Sequence, residues 1–475
     1  MKGVTTWSFH PYKPFLFDTG DIYICRVFPS SCTIDFSWLP LEENVDTVYT
    51  VGIRKRNDNG DYTLYETTGS TYSFTQLEDD TDYEFFVSLG DKKSRVRLAR
   101  TGYVPGDVVV NYLHPDDRAY SFSGNYLCSP SLVRHPDGYL LASMDVFHGG
   151  SPQDLTLIFR SDDDGKTWSY VSELFPCFWG RMFIHKGYLY MLSVSTEYGD
   201  LLIGRSEDGG KTFGLPTVLL RGSSGFKQSG VHKNPQKLLS YRGRLWTTLE
   251  WGSWAYGTHA AMCASIDEDA DLLDAANWHF TPPVPYSSEW EGTAVGRSSG
   301  CIEGCMTVSP DGKLYNVMRY QIENCTPSYG LALIMRADPD RPDEALTFEK
   351  VIHFPGNHSK FEITYDEESG CYISLVSYLC EAHRTGRNLL SLIASRDLDH
   401  WVHVCDIFDY RDLPESEVGF QYVAYLIEGN DILFLSRTAF NHAANFHDAN
   451  YSVFSRIKDF RKLLTDDVFS TKFDT

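Results

Sequence analysis

The chain has 475 residues, which is enough to bury a large core and to form more than one domain. It carries 64 acidic and 42 basic residues, and the formal net charge of −22 argues against nucleic acid or an anionic membrane as a partner. It contains no run of eighteen apolar residues that would predict a membrane span, and its eleven scattered cysteines, without paired CxxC spacing, indicate reduced thiols.

Residues 1–105 predict a small β-sandwich. Alternating apolar and polar residues mark strands near 33–38, 47–51 and 83–87, with turn signals such as NDNG at 57–60 between them. The stretch 77–83 ends in Tyr83, and the whole segment resembles a fibronectin type III module. The resemblance implies that the Tyr83 hydroxyl caps the corner before a late strand. A Val-Pro-Gly boundary at 104–106 without a low-complexity linker predicts a second, closely packed domain at 106–475.

Two near copies of one motif organise this second domain: RSDDDGKTW at 160–168 and RSEDGGKTF at 205–213. Ser and Asp side chains satisfy the N–H groups of a tight turn, the glycine adopts a backbone that other residues resist, and Trp168 plugs the layer beneath. Decayed copies are anchored at 265, 336, 395 and 455. The six anchors lie 45 to 71 residues apart, which predicts a repeat architecture.

Six repeats with alternating apolar strands predict six four-stranded blades around a central channel, and a seventh blade built partly from residues 106–125 is the alternative. The motif resembles the Asp-box of sialidase-type β-propellers. We therefore expect an all-β protein, a six-bladed β-propeller preceded by a small β-sandwich. The resemblance also implies that the motif turns lie at the blade rims, away from any chemistry.

Two segments resemble sialidase strands that bind and cleave substrate. Glu303 begins one predicted strand and Arg319 ends the next, joined by a Pro-Asp-Gly turn that brings both ends to one rim. This spacing is similar to that of the catalytic Glu and substrate-binding Arg of sialidases. Arg387 begins a strand like the one that carries a carboxylate-binding Arg in that family, with Arg384 as its competitor. Two planar guanidinium groups suit bidentate binding of a carboxylate.

The strand predicted at 419–430 resembles the one that carries the sialidase nucleophile. The resemblance implies that Tyr422 is the nucleophile and that Glu303 withdraws its proton, with Tyr425 as the alternate if the register is shifted. A phenol has a pKa of about 10, so it needs a base and cationic neighbours to attack at neutral pH. Glu303 and the two arginines would supply both.

The first blade departs from the sialidase pattern. An Arg-Ile-Pro motif supplies a third arginine in that family, whereas Cys128 stands at the matching position here. The acid/base Asp of the family lies shortly before the first Asp-box, where this chain offers Asp145, His148 and Asp154 as candidates. His148 lies in a Gly-rich loop, and a histidine side chain can donate or accept a proton near neutral pH.

Further residues are candidates for the expected channel. His232, in the stretch GVHKNP, is a candidate for substrate binding or proton transfer, as are His358 and Lys360, although Lys360 fits a solvated loop better. An exposed loop is expected at 251–254, which contains Trp251 and Trp254. Their rings, and those of Trp179 and Trp246, are candidates for stacking against sugar rings, with core packing as the alternative for each. Arg437 precedes the polar segment 441–451 and is a candidate substrate-binding residue.

These patterns predict an exo-acting glycoside hydrolase that binds a glycan through a terminal acidic sugar, either sialic acid or a uronate-linked sugar. Because Cys128 replaces an arginine, a lyase or rhamnosidase-type propeller acting at a uronic acid is one alternative, and a non-catalytic carbohydrate-binding propeller is another. We expect no metal or cofactor, since the CxxxC pair at 301–305 has no histidine partner nearby. The first ten residues lack the apolar core of a leader, so we expect a cytoplasmic protein, or a secreted one if a leader was removed.

Overall fold

The computed structural model describes residues 22–41, 46–223 and 228–470, and its regular structure is almost entirely antiparallel β-strand. The first ten residues and the beginning of the predicted sandwich lie outside the described residues. The described helical segments are short: 3-10 turns at Trp254–Tyr256, Ala275–Asn277 and Phe460–Leu463, and the helix α1 (Asp466–Ser470). None of these is long and apolar enough to cross a membrane.

The described part of the N-terminal region is a small β-sandwich. Its strands are β1 (Tyr23–Pro29), β2 (Ile34–Leu39), β3 (Val48–Lys55), β4 (Thr63–Thr68), β5 (Thr71–Phe74), β6 (Asp82–Leu89), β7 (Lys92–Lys93) and β8 (Arg97–Arg100). One sheet has the order β1-β2-β5, and the other has the order β4-β3-β6-β7, with β8 also paired to β6. The Tyr83 hydroxyl accepts a hydrogen bond from the Glu78 N–H at 3.0 Å, which is the predicted corner. The assignment to fibronectin type III modules stays a prediction.

A ring of six blades follows in the described residues, which confirms the predicted fold class. The strand β9 (Val108–Tyr112) precedes the first blade. The first blade contains β10 (Tyr126–Arg134), β11 (Leu140–Phe147), β12 (Leu155–Ser161) and β13 (Ser169–Leu174); the second contains β14 (Phe178–His185), β15 (Tyr188–Val194), β16 (Leu201–Ser206) and β17 (Thr217–Leu220).

The third blade contains β18 (Gly230–His232), β19 (Leu239–Tyr241), β20 (Arg244–Ser253), β21 (Thr258–Asp267), β22 (Trp278–Phe280) and β23 (Val284–Pro285). A short ribbon of β24 (Val295–Gly296) and β27 (Cys325–Thr326) flanks the fourth blade, which contains β25 (Gly300–Val308), β26 (Leu314–Gln321), β28 (Leu331–Ala337) and β29 (Thr347–His353). The fifth contains β30 (Thr364–Asp366), β31 (Cys371–Ser377), β32 (Leu389–Ser395) and β33 (Trp401–Asp409), and the sixth contains β34 (Gly419–Glu428), β35 (Asp431–Ala439) and β36 (Tyr451–Ile457).

The sixth blade closes the ring with a strand from the other end of the domain. Its outermost strand is β9, which pairs antiparallel to β36 with Tyr112 opposite Tyr451. Residues 108–112 therefore complete the sixth blade and do not begin a seventh. The core of the sandwich continues into both of these tyrosines, and Tyr23 of β1 donates a hydrogen bond to Glu173 of the first blade at 2.8 Å. The two regions share buried contacts, while the domain boundary at residue 105 stays a prediction.

Buried apolar side chains fill the spaces between neighbouring blades. β11 and β32 are buried along their whole length, because blades cover both of their faces. One such cluster joins Trp246 of the third blade to Met318 and Leu333 of the fourth. This packing fixes the first strand of each blade, and these strands position the site described below.

The two motif turns have the predicted geometry. Ser161 Oγ accepts a hydrogen bond from the Gly165 N–H, and Asp163 Oδ1 accepts one from the Thr167 N–H, both at 2.8 Å. Trp168 is buried beneath the turn, against a phenylalanine of the sixth blade. The second turn repeats both hydrogen bonds at 2.9 Å. Both turns join the third and fourth strands of their blades.

Two local predictions are wrong. The stretch expected as a loop at 251–254 is strand through Ser253, because β20 pairs with β21 along its full length. Lys360, which fitted a solvated loop, is 1% exposed and forms an ion pair with Glu362 at 2.8 Å. The segment 356–363 turns inward, since Glu362 also pairs with Arg181 of the second blade at 2.8 Å.

Candidate active site

The first strands of four blades carry the same β-bulge. In β25, Ile302 pairs with Arg319 and Cys305 pairs with Val317, so Glu303 and the next residue oppose a single partner. The first residue of each bulge has a left-handed backbone, with φ of 51° at Ser129, 51° at Trp179, 54° at Glu303 and 55° at Tyr422. Such strain costs roughly 1–3 kcal/mol at a non-glycine residue and concentrates at functional sites. Two of the four strained residues are the predicted Glu303 and Tyr422.

Glu303 of the fourth blade and Tyr422 of the sixth are in contact although they lie 119 positions apart and the fifth blade separates their blades. The Tyr422 hydroxyl donates a hydrogen bond to Glu303 Oε1. Burial and the nearby Glu303 carboxylate raise the pKa of Tyr422 far above its usual value, against the opposing charges of three arginines. The phenol is therefore protonated at neutral pH, and Glu303 is the base within its reach.

Arg319 holds the other oxygen of the same carboxylate. Its NH1 lies 2.8 Å from Glu303 Oε2, and its Nε donates to the Asn357 carbonyl at 3.0 Å. Burial acts to raise the pKa of Glu303, but the charges of Arg319 and His232 and the hydrogen bond from Tyr422 outweigh it, so this pKa is lowered overall. Glu303 is therefore ionised at neutral pH and is able to accept a proton.

Two further arginines are buried beside this pair and have no anionic partner within the described part of the chain. Arg387 donates to the side-chain oxygen of Gln421, and Arg437 donates to the main-chain carbonyl of His447. Arg387 is 8% exposed and Arg437 is 4% exposed, and neither pairs with a carboxylate among the described residues. Burial and repulsion by Arg319 lower the pKa of Arg387 to about 9. The site therefore holds an excess of positive charge inside an acidic protein.

Aromatic rings cover the faces of these guanidinium groups. Arg387 lies 5.3 Å from the ring of Phe446, and Arg437 lies 4.6 Å from Phe147 and 5.0 Å from Tyr422. Such contacts stabilise a cation by about 0.5–2 kcal/mol while leaving its edge available for hydrogen bonds. Phe147 belongs to the first blade, so Arg437 reaches toward the blade that contains Cys128.

The competing residues lie elsewhere. Tyr425 is a core residue whose hydroxyl donates to the Ile373 carbonyl at 2.6 Å. Arg384 is half exposed and pairs with Glu381 at the surface. The structure therefore brings Tyr422 and Arg387, rather than these alternates, to the cluster around Glu303.

The three predicted proton donors do not join this cluster. Asp145 is completely buried, its oxygens accept hydrogen bonds from Thr156 and from the Trp179 N–H, and burial raises its pKa to about 7. His148 is exposed and packs against the ring of Tyr126. Burial raises the pKa of Asp154 to about 6, and one of its oxygens is buried without a hydrogen-bond partner among the described residues. These placements leave each of the three without a contact to Glu303 or Tyr422.

The third blade contributes a buried histidine–carboxylate pair. His232 Nδ1 lies 2.6 Å from Glu250 Oε2, and the other oxygen, Oε1, accepts a hydrogen bond from the Gly304 N–H at 3.1 Å. His232 is 1% exposed, and its ring packs 4.3 Å from that of Trp179. Gly304 follows Glu303 directly, so Glu250 links His232 to the bulge that carries Glu303. Glu250 was not predicted, and its only signal is one carboxylate within the apolar strand β20.

The remaining candidates divide between core and surface. Trp251 packs into the hydrophobic cluster shared with the second blade, whereas Trp254 is 45% exposed and its ring lies 4.8 Å from that of His259. His358 is buried, and its Nε2 lies 3.2 Å from the Ser328 carbonyl oxygen. In residues 22–41, 46–223 and 228–470, no three His, Cys, Asp or Glu side chains are grouped so as to hold a metal ion.

Comparison with known proteins identifies the fold. No family model and no curated protein sequence matches the chain. Among solved structures, the α-L-arabinanase of Penicillium chrysogenum complexed with arabinobiose aligns with a TM-score of 0.50 and 16% identity, over 74% of this chain and 98% of that one. A Hadza microbial sialidase aligns with a TM-score of 0.49 and 12% identity, over 92% and 94% of the two chains. The leech intramolecular trans-sialidase aligns with a TM-score of 0.48 and 10% identity, over 93% and 92%. The chain is thus similar in fold to a β-propeller glycosidase, the Penicillium arabinanase.

Proposed function

We propose that this protein is an exo-acting glycoside hydrolase that recognises a terminal sugar carrying a carboxylate. The proposal depends on one observation: Arg387 and Arg437 are buried beside the hydrogen-bonded pair of Tyr422 and Glu303, and no carboxylate of residues 22–41, 46–223 or 228–470 pairs with either arginine. An unpaired buried charge is costly, and a carboxylate of the substrate would neutralise it. The four groups are only 3–8% exposed, and such an enclosed site fits the end of a glycan better than its interior.

Each residue has a role in this proposal. Glu303 accepts the Tyr422 proton, and the resulting phenolate attacks the anomeric carbon. Arg319 keeps Glu303 ionised and, together with Arg387, binds the sugar carboxylate. Arg437 supplies the third cation, from the second strand of the sixth blade, in place of the first-blade arginine that Cys128 replaces. A neutral sugar such as the arabinobiose bound by the Penicillium arabinanase offers no anion for these groups.

A panel of terminal sugars tests the proposal. The protein is incubated with 3′-sialyllactose, with rhamnose–glucuronate-capped glycans, and with 4-methylumbelliferyl glycosides of N-acetylneuraminic acid, glucuronic acid and arabinose. We expect release of one acidic sugar class and no release of arabinose. Tyr422→Phe and Glu303→Gln should each lower kcat/KM by more than about 10²-fold, since they remove the nucleophile and its base. Tyr425→Phe, on the same strand but in the core, is the matched control and should retain activity.

Three outcomes would contradict hydrolysis of an acidic sugar. An unsaturated product that absorbs in the ultraviolet would identify a uronate lyase. Binding without release of any panel sugar, unchanged by Tyr422→Phe, would identify a carbohydrate-binding propeller. Cleavage of the arabinoside alone would show that the arginine cluster does not bind a substrate carboxylate.

A further inference from the structure

Cleavage of a sugar–sugar bond requires a proton donor, and the residues expected for this role do not contact Glu303 or Tyr422. The leaving alkoxide of an unactivated sugar is a strong base, so positioned acids typically contribute 10²–10⁴-fold to such reactions. Asp145 is completely buried with both oxygens engaged, and His148 lies exposed on the surface of the first blade. Asp154, the third candidate, makes no contact with Glu303 or Tyr422 among the described residues, so a donor from another blade fits the site better.

His232 has the geometry of an oriented proton donor. The carboxylate of Glu250 accepts from Nδ1, so Nδ1 carries the hydrogen and Nε2 is the nitrogen that exchanges a proton. Among the described residues, no side chain or main-chain group forms a hydrogen bond with Nε2. Trp179, a strained bulge residue of the second blade, packs against the ring and limits its rotation.

Glu250 also fixes the distance between His232 and the reaction centre. One of its oxygens holds the imidazole, and the other accepts from the Gly304 N–H in the bulge that aims Glu303 at Tyr422. An unbroken path of contacts therefore runs from His232 through Glu250 and the bulge to the proposed nucleophile. The charge of His232 also contributes to the lowered pKa of Glu303, so the two groups lie within electrostatic range.

We propose that His232 is the general acid and base of the reaction and that Glu250 is its positioning residue. This inference rests on the proposed glycosidase function. As the bond between Tyr422 Oη and the anomeric carbon forms, the glycosidic C–O bond breaks and its electron pair remains on the leaving oxygen, which takes the proton from His232 Nε2. The Tyr422 proton passes to Glu303.

In the second step the same nitrogen acts as a base. Neutral His232 Nε2 removes a proton from water, whose oxygen attacks the anomeric carbon while the bond to Tyr422 Oη breaks. The phenolate recovers its proton from Glu303. One water is consumed, one free sugar and one shortened glycan are released, and all three side chains return to their starting protonation states.

Leaving-group dependence tests this role. Two substrates are compared for whichever acidic sugar the panel identifies: its 4-nitrophenyl glycoside, whose leaving phenolate needs no protonation, and its natural disaccharide. His232→Gln should lower kcat/KM by about 10²–10⁴-fold for the disaccharide but less than about tenfold for the nitrophenyl glycoside. Glu250→Gln should also lower kcat/KM more for the disaccharide than for the nitrophenyl glycoside, but the difference should be smaller than for His232→Gln. A purely structural loss would lower kcat/KM equally for both substrates.

His259→Gln is the matched control. Its ring centroid lies 4.9 Å from that of His232, and its Nε2 lies 3.1 Å from the Tyr198 hydroxyl, so it shares the packing but not the contact with Glu250. It should lower kcat/KM equally for both substrates, or not at all. Equal losses on both substrates for His232→Gln, or no loss, would overturn the proposed role while leaving the proposed function intact. Activity in Tyr422→Phe, or no cleavage by the wild type, would instead overturn the proposed function.

A measurement on the wild-type protein tests the proposal even if the variants fail to fold. Nitrogen-15 spectra of histidine-labelled protein report which ring nitrogen carries the proton. We expect His232 to hold a permanent Nδ1–H and to exchange its proton at Nε2. A spectrum in which Nε2 stays protonated and Nδ1 is bare would overturn the proposal.

Discussion

Replacing Arg387 by methionine should stabilise the protein while abolishing its binding of substrate. Arg387 is buried, donates to a neutral amide oxygen and has two other arginines nearby. Methionine has a similar length, carries no charge and suits a pocket beside the ring of Phe446. We expect an anion-binding site to destabilise the folded protein while the site is empty, because its positive charges are held in place before the substrate binds.

The magnitude follows from the pKa of the guanidinium. Burial lowers this pKa from 12.5 to about 9. One pKa unit corresponds to about 1.4 kcal/mol, so a cationic Arg387 costs about 5 kcal/mol wherever the pH lies below both values. The contact with the ring of Phe446 stabilises the cationic Arg387 by about 1–2 kcal/mol. We therefore expect Arg387→Met to raise the free energy of unfolding by about 3 kcal/mol at pH 7, and the gain should shrink above pH 9 as the wild-type side chain loses its proton.

Thermal unfolding at pH 7, with and without the acidic sugar that we propose as substrate, is the assay. The unfolding entropy of a chain of this length is about 1 kcal/mol per kelvin, so the expected rise in Tm is about 3 °C. The acidic sugar should raise the Tm of the wild type but not that of the variant. Arg384→Met, at a half-exposed arginine three positions earlier, is the matched control and should change neither quantity. A lower Tm for Arg387→Met would refute the reasoning, because it would mean that the charge is stabilised in the unliganded protein.

Three further predictions concern stability. Burial raises the pKa of Glu173 to about 8, so its carboxyl is protonated in the folded protein; stability should fall as the pH rises from about 4.5 to 8, and Glu173→Gln should flatten this dependence in denaturant titrations. Arg319→Met should cost about 3–5 kcal/mol in urea unfolding by leaving Glu303 unpaired, and adding Glu303→Gln should restore most of it. Trp168→Ala should cost about 3–5 kcal/mol because it empties the space beneath the first motif turn, whereas Trp254→Ala, at an exposed ring, should cost less than about 1 kcal/mol.

Local patterns made the fold predictable. The turn at 161–168 is held by hydrogen bonds that span four positions, so its Ser, Asp and Gly residues are informative by themselves. The recurrence of the turn then indicated the number of blades. The strand β9 was harder to place, because its partner β36 lies more than 330 positions away and a five-residue strand carries no signal for such a pairing.

The site was predictable only where its residues follow a family spacing. Glu303, Arg319, Arg387 and Tyr422 were selected in this way, and the structure brings them together. Glu250 was missed, because its partners lie 18 and 54 positions away and nothing beside it in the sequence indicates them. The left-handed bulges were also missed, because residues such as Glu and Tyr give no local sign of a backbone that usually requires glycine.

The ring is closed by the non-covalent pairing of β9 with β36, two strands from opposite ends of the propeller. The strand β9 is held to β36 by main-chain hydrogen bonds, by hydrogen bonds of Asp107 with Ser455 and Arg456, and by the packing of Tyr112 against Tyr451. The same two tyrosines form part of the core of the N-terminal sandwich. A force applied to the N-terminal region would therefore act first on the pairing of β9 with β36. A cut that removes residues 108–112 would leave six blades with one frayed edge, and an exposed strand edge of this kind recruits neighbouring chains.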